Sequence, residues 1–128
     1  MAYSILIVDD SDTIRAVLER TLHMTKLPLD EIIHAGHGRE ALNKLNDTWV
    51  DIIFTDINMP HMNGIELIDN LKKNAEYAEI PVVIISTEGS TTRIEELKKK
   101  GIQGYLRKPF TPENVRDAII ETLGGWDE

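Results

Sequence analysis

Runs of four to six apolar residues alternate, five times over, with segments whose apolar positions recur at helical spacing. That alternation predicts a parallel sheet covered by helices on both faces, because strands buried on two sides read as continuous apolar runs. The first strand is expected over Ile5-Leu6-Ile7-Val8, followed by a helix with Ile14, Val17, Leu18 and Leu22 on one face. Ser11 or Asp12 is available to cap that helix, which should end before Pro28. A short second strand, Ile32-Ile33-His34-Ala35, leads through Gly36-His37-Gly38 to a helix carrying Ala41, Leu42 and Leu45. The third, Ile52-Ile53-Phe54-Thr55, runs into Asp56 and then a loop, Asn58-Met59-Pro60-His61-Met62-Asn63-Gly64, too rich in breakers to be regular. A helix with Ile65, Ile68 and Leu71 inward follows. Pro81 opens a fourth strand, Val82 to Ile85, and a weakly amphipathic helix with Ile94 and Leu97 comes next. After a fifth strand, Gly104-Tyr105-Leu106-Arg107, Thr111 caps a last helix. Pro112 takes its first position, Val115, Ala118, Ile119 and Leu123 form its buried stripe, and Gly124-Gly125 stops it.

Composition narrows the class. At 128 residues, with 41% hydrophobic, the chain fits one domain with one core, and residues 1–128 are expected to hold no second, output domain. A formal net charge of −8 would repel a phosphate backbone, so direct nucleic-acid binding is not expected. The absence of cysteine removes disulfides and thiolate metal sites and fits a reducing compartment. With no basic leader and no stretch of membrane-spanning length, the expectation is a soluble cytoplasmic protein with no membrane insertion.

The candidate chemistry sits at the strand ends. Asp9-Asp10 follows the first strand, Asp56 the third, the hydroxyl pair Ser86-Thr87 the fourth and Lys108-Pro109 the fifth. In an open parallel sheet, groups stepping off the carboxyl ends of neighbouring strands converge without being close in sequence. An isolated Asp pair is more often a turn that caps a helix, and an isolated lysine a solvated one; the conjunction changes the balance. Two unit charges about 4 Å apart repel by on the order of 4 kcal/mol at an effective dielectric of 20, so converging carboxylates hold protons or a cation. Acids, hydroxyl and ammonium together suit a phosphoryl group: a carboxylate nucleophile with a divalent ion and a lysine neutralising the transferring oxygens.

These motifs resemble the response-regulator receiver domains, of the small CheY-like kind, over essentially the whole chain. The resemblance rests on Val8-Asp9-Asp10-Ser11, on residues 35–42 (AGHGREAL), on Asp56-Ile57-Asn58-Met59-Pro60 with Gly64, and on Pro81, Ser86 and Lys108-Pro109-Phe110. It implies a flavodoxin-like, doubly wound sheet in the order 2-1-3-4-5. It further implies that Asp56 accepts a phosphoryl group from a partner histidine kinase. Mg²⁺ would be held by Asp10, Asp56 and the backbone carbonyl of Asn58, with Asp9 acting through a bound water. Ser86 and Lys108 would meet the phosphoryl group, Tyr105 would be the aromatic switch, and Lys108-Pro109 would be a cis peptide. A downstream protein would then bind the surface formed by the fourth helix, fifth strand and fifth helix. The chain would be a switch, not an enzyme, although it catalyses its own phosphoryl transfer and loss; chemotaxis or motility is the pathway the resemblance favours.

Thr87 departs from the family's usual small residue and could narrow access to the phosphoryl group; Glu88 and Asn58 occupy positions that tune dephosphorylation. Three other readings compete. A small phosphatase of the haloacid dehalogenase type would want an acid two residues after Asp56, where Asn58 stands. A degenerate receiver acting as an interaction module would not need the full acid, hydroxyl and lysine set. A dinucleotide fingerprint over residues 36–41 (GHGREA) belongs after the first strand of a larger domain and leaves Asp9, Asp10 and Lys108 unexplained. His23, His34, His37 and His61 lack metal-ligand spacing and are expected on the surface or in loops. Lys98-Lys99-Lys100 complements a helix C-terminus.

Overall fold

The structure, a computed structural model, describes residues 2–57, 59–87 and 91–123, with the side chains of residues 91–94 also outside the description. The expectations for Asn58, Glu88, Gly124, Gly125 and the Ile94 side chain therefore fall outside the described residues. Strands and helices alternate: β1 (Tyr3–Val8), α1 (Asp12–Met24), β2 (Leu29–Ala35), α2 (Gly38–Asp47), β3 (Ile52–Asp56), α3 (Gly64–Lys73), β4 (Val82–Ser86), α4 (Thr91–Lys99), β5 (Gly104–Arg107) and α5 (Pro112–Leu123). The strands form one parallel sheet in the order β2-β1-β3-β4-β5, the doubly wound arrangement expected.

Period-two alternation divides the core. Leu6, Val8, Ile53, Val82 and Ile84 face a layer that includes Ala41, Leu67, Ile68, Leu71 and Leu97 of α2, α3 and α4. Ile5, Ile7, Ile52, Phe54, Val83, Ile85 and Leu106 face Leu18, Leu22, Val115 and Ile119 of α1 and α5. Central strands buried on both faces need apolar residues at every position, which explains the unbroken runs.

Several helix faces differ from the sequence reading. In α1, Val17 is 38% exposed while Thr21 is buried; the Thr21 hydroxyl donates to the Val17 carbonyl at 2.8 Å, so it can face inward without losing a partner. Leu67 is fully buried in α3, whereas Ile65 only packs at the margin of the core. In α5, Ala118 and Leu123 are half-buried, and Ile120 packs against the core beside Val115 and Ile119. β2 begins three residues before the expected start, with Leu29 opposite Tyr3 and a register shift before Ile5 pairs with Ile32. Exposed Asp30 and Glu31 interrupt its apolar run, as charged residues do on an edge strand. His34 lies in this strand, as expected, and is half-buried, not on the surface.

The caps are local and satisfied. Ser11 Oγ accepts from the Ile14 N–H at 3.2 Å, and Asn63 with Glu66 forms a reciprocal capping box at 2.8 and 3.0 Å. Thr111 and Asn114 exchange bonds at 3.1 Å to start α5. No helix among the described residues is long and apolar enough to cross a membrane.

Candidate functional site

The parallel register fixes the level at which each strand delivers its polar residue. Val8 pairs with Thr55, so Asp9 and Asp56 leave β1 and β3 at one height; Asp56 pairs with Ile85, so Ser86 follows on β4. Ser86 pairs with Arg107, and its carbonyl accepts from the Lys108 N–H at 2.9 Å, which brings the lysine to the same edge. Asp9, Asp10 and Asp56 thereby converge, with one carboxylate oxygen from each within 4.8 Å of the others.

Each acid has a different environment. Asp9 is buried, and both of its oxygens have donors: Oδ1 accepts from the Ser11 N–H at 2.9 Å and Oδ2 lies 3.3 Å from Lys108 Nζ. Asp10 is exposed at the mouth. Asp56 is half-buried, its Oδ1 accepting from the Ile57 N–H at 2.8 Å. Burial pushes the Asp56 carboxyl above its ordinary range; Lys108 opposes this, Asp9 adds to it, the Ile57 N–H opposes it and Asp10 adds again. Three convergent carboxylates with one ammonium leave an excess of negative charge, and oxygen-only donors fit a hard divalent cation.

The loop after β3 closes tightly beneath the site. The Gly64 N–H donates to the Ile57 carbonyl at 2.7 Å, and a Cβ on Gly64 would stand 2.3 Å from the Asp56 carbonyl oxygen. Ser86 is buried at the end of β4, Thr87 is exposed in the bend after it, and the Lys108-Pro109 peptide is cis. Tyr105 is half-buried, with a hydroxyl that is enclosed and has no hydrogen-bond partner among the described residues.

Arg15 escaped the sequence reading. It lies one turn into α1, where its guanidinium donates to the Asp9 carbonyl oxygen and pairs with Asp12. The usable signal was its position four residues after the Ser11 cap, which turns a long side chain back toward the acid loop.

Comparison with known proteins agrees with this geometry. Residues 5–120 match the response regulator receiver domain, and the chain belongs to that family. It is 37% identical over 121 residues to a chemotaxis protein CheY homolog of Campylobacter jejuni, covering 94% of this chain and 92% of that one. To chemotaxis protein CheY1 of Helicobacter pylori it is 36% identical over 124 residues, covering 96% and 98%. Among solved structures, the chemotaxis protein CheY4 of Vibrio cholerae superposes with a TM-score of 0.85 at 34% identity, covering 95% of this chain and 99% of that one. The chain is thus a CheY-like receiver of the response-regulator class, a family of signalling proteins.

Proposed function

We propose that this protein is a stand-alone phosphorylation switch in which Asp56 accepts a phosphoryl group from the phosphohistidine of a partner kinase. The observation that carries the reading is the convergence of Asp9, Asp10 and Asp56 on one edge, with the Lys108 ammonium against Asp9. Asp10, Asp56 and the carbonyl of Asn58 would hold Mg²⁺, with Asp9, whose oxygens already have donors, acting through water. Bound there, Mg²⁺ supplies positive charge to the transferring oxygens and lowers the cost of bringing an anion to an acidic site.

The remaining work belongs to the chain's own groups. The Ile57 N–H holds Asp56 Oδ1, which leaves Oδ2 to attack phosphorus. A P–O bond to Asp56 forms as the P–N bond of the donor breaks, and the departing imidazole keeps the bonding electron pair and takes a proton. Lys108 then pairs with a phosphoryl oxygen, and the Ser86 hydroxyl donates to another. Phosphorylation adds roughly −1.5 to −2 charge and three acceptor oxygens, enough to bias the loops after β4 and β5. Tyr105 rearranges with Ser86, and the α4, β5 and α5 face binds a downstream protein. Asp56 is consumed and restored with no separate substrate turned over, so the protein is a switch and not an enzyme.

Chemotaxis or motility in the cytoplasm is the setting we favour, since the chemotaxis relatives are matched over 92 to 98% of their length. The test is incubation with Mg²⁺ and acetyl phosphate, read by intact mass beside Asp56→Asn. One adduct that requires Mg²⁺ and disappears in the variant is expected. Mg²⁺ binding without any adduct, across several donors, would favour a degenerate interaction module, and multiple turnover of a phosphate ester would favour a phosphatase.

A further inference from the structure

We propose that Arg15 is a positioning residue for the acid-bearing loop and that the neutral form of His34 holds it in place. The inference rests on the reading that this loop carries a divalent ion. The Arg15 side chain is 14% exposed, and its guanidinium is engaged in three directions at once. Nη1 donates to the Asp9 carbonyl, Nη2 pairs with the Asp12 carboxylate, and Nε donates to His34 Nδ1 at 3.3 Å. A rigid, planar fork can clamp a loop, a helix start and an edge strand together, where a single ammonium could satisfy only one. Because the Asp9 carbonyl belongs to the peptide that leads into Asp10, gripping it sets the direction in which the exposed Asp10 carboxylate starts.

His34 is matched to this task. Its Nδ1 accepts from Arg15, so the ring proton belongs on Nε2, which lies 2.5 Å from Glu19 Oε1. A second proton would have to sit on Nδ1, placing an N–H against the Arg15 N–H and one cation against another. The contact would then be lost. Among the described residues, α1, α2 and β2 supply the charged groups around this contact. From α1 come Glu19, Arg15 and Asp12, with His23 3.8 Å from the far oxygen of Glu19. From α2 comes Glu40, which accepts from the Gly36 N–H at 2.7 Å on the side where a Gly36 Cβ would lie 3.7 Å from Arg15 Nη1. β1 offers Ile7 opposite His34, and β2 itself carries Asp30 and Glu31, both exposed.

The test compares wild type, Arg15→Gln and His34→Gln. Gln at position 34 keeps an acceptor and a donor but does not titrate. Without metal, the Asp10 and Ser11 amide resonances are followed from about pH 8 to about pH 5.5, across the range in which histidine changes charge. The wild type is expected to show a step that His34→Gln and Arg15→Gln both lack; acid titrations common to all three cancel in the comparison. By calorimetry at the neutral end, Arg15→Gln should bind Mg²⁺ about tenfold or more weakly, the usual cost of losing a group that orients metal ligands, while His34→Gln should keep wild-type affinity. An undiminished step in His34→Gln, or wild-type affinity in a folded Arg15→Gln, would overturn the assignment. If the wild type itself binds no Mg²⁺, the metal reading fails on its own and the metal-free resonances still decide the role of Arg15. Should Arg15→Gln not fold, the pH step in His34→Gln decides.

Discussion

Lys108 reaches from the end of the last strand to place Nζ 3.3 Å from Asp9 Oδ2, at the end of the first. The Asp9 side chain is 2% exposed and that of Lys108 18%, so the pair is screened from water and each needs the other. Removing one partner of a buried pair leaves an uncompensated charge. Lys108→Ala should cost about 2 kcal/mol of stability without metal, measured by urea unfolding, and Mg²⁺ should restore part of the loss by binding only the folded state. An unchanged urea midpoint would show that the contact contributes nothing.

Asp56 gives the site a pH signature. Its raised carboxyl means that the folded state binds a proton more readily than the unfolded chain. Its contribution to stability is fully present below the unfolded value of about 3.9 and is lost as pH rises through the higher folded value. Metal-free Asp56→Asn should therefore be more stable than wild type near neutral pH, with the gap closing below about pH 4. Urea midpoints across pH measure it, and Mg²⁺ should narrow the neutral-pH gap.

Tyr105 carries an enclosed hydroxyl without a partner among the described residues. Replacing a buried, unsatisfied polar group by hydrogen removes a desolvation cost, so Tyr105→Phe should stabilise the unphosphorylated protein by about 1 kcal/mol. Lower stability in a calorimetric scan would mean that the hydroxyl has a role the unphosphorylated geometry hides.

Gly64 tolerates no side chain, because a Cβ would press on backbone and not on a flexible tip. Gly64→Ala should cost about 1–3 kcal/mol, in the range of overpacked sites, and weaken Mg²⁺ binding through displacement of Asp56. Thermal unfolding and calorimetry report the two effects separately.

Thr87 is exposed in the bend after β4, next to Ser86. If its bulk slows access, Thr87→Ala should speed phosphorylation by acetyl phosphate, loss of the phosphoryl group, or both. Identical rates for both processes in the variant would remove Thr87 from consideration.

Much of this architecture is readable in the chain because buried parallel strands write themselves as apolar runs that end in polar residues. Asp9, Asp10, Asp56 and Lys108 each stand at such an end, and the sheet order makes them neighbours. The first half of β2 was hidden because an edge strand needs only partial burial and carries Asp30 and Glu31. Leu67 was passed over for Ile65 because the two differ by little more than half a helical turn, and only packing against the sheet selects between them. Arg15 and its contact with His34 were hidden for another reason: a guanidinium clamp depends on side-chain reach across α1 and β2, which residue spacing does not encode.

The sheet order also divides the site by mechanical robustness. The acids ride on β1 and β3, adjacent interior strands zipped on both sides, whereas Lys108 and Tyr105 hang on β5, four residues long and paired with β4 alone. Opening an outer strand breaks one ladder, and opening an interior one breaks two. Transient peeling of β5 would withdraw the cation and the tyrosine together and leave the acid trio assembled, so native-state hydrogen exchange should find β5 amides released well before those of β1 and β3. The acid trio would thus outlast its contact with the lysine and the tyrosine beside it during spontaneous fluctuations.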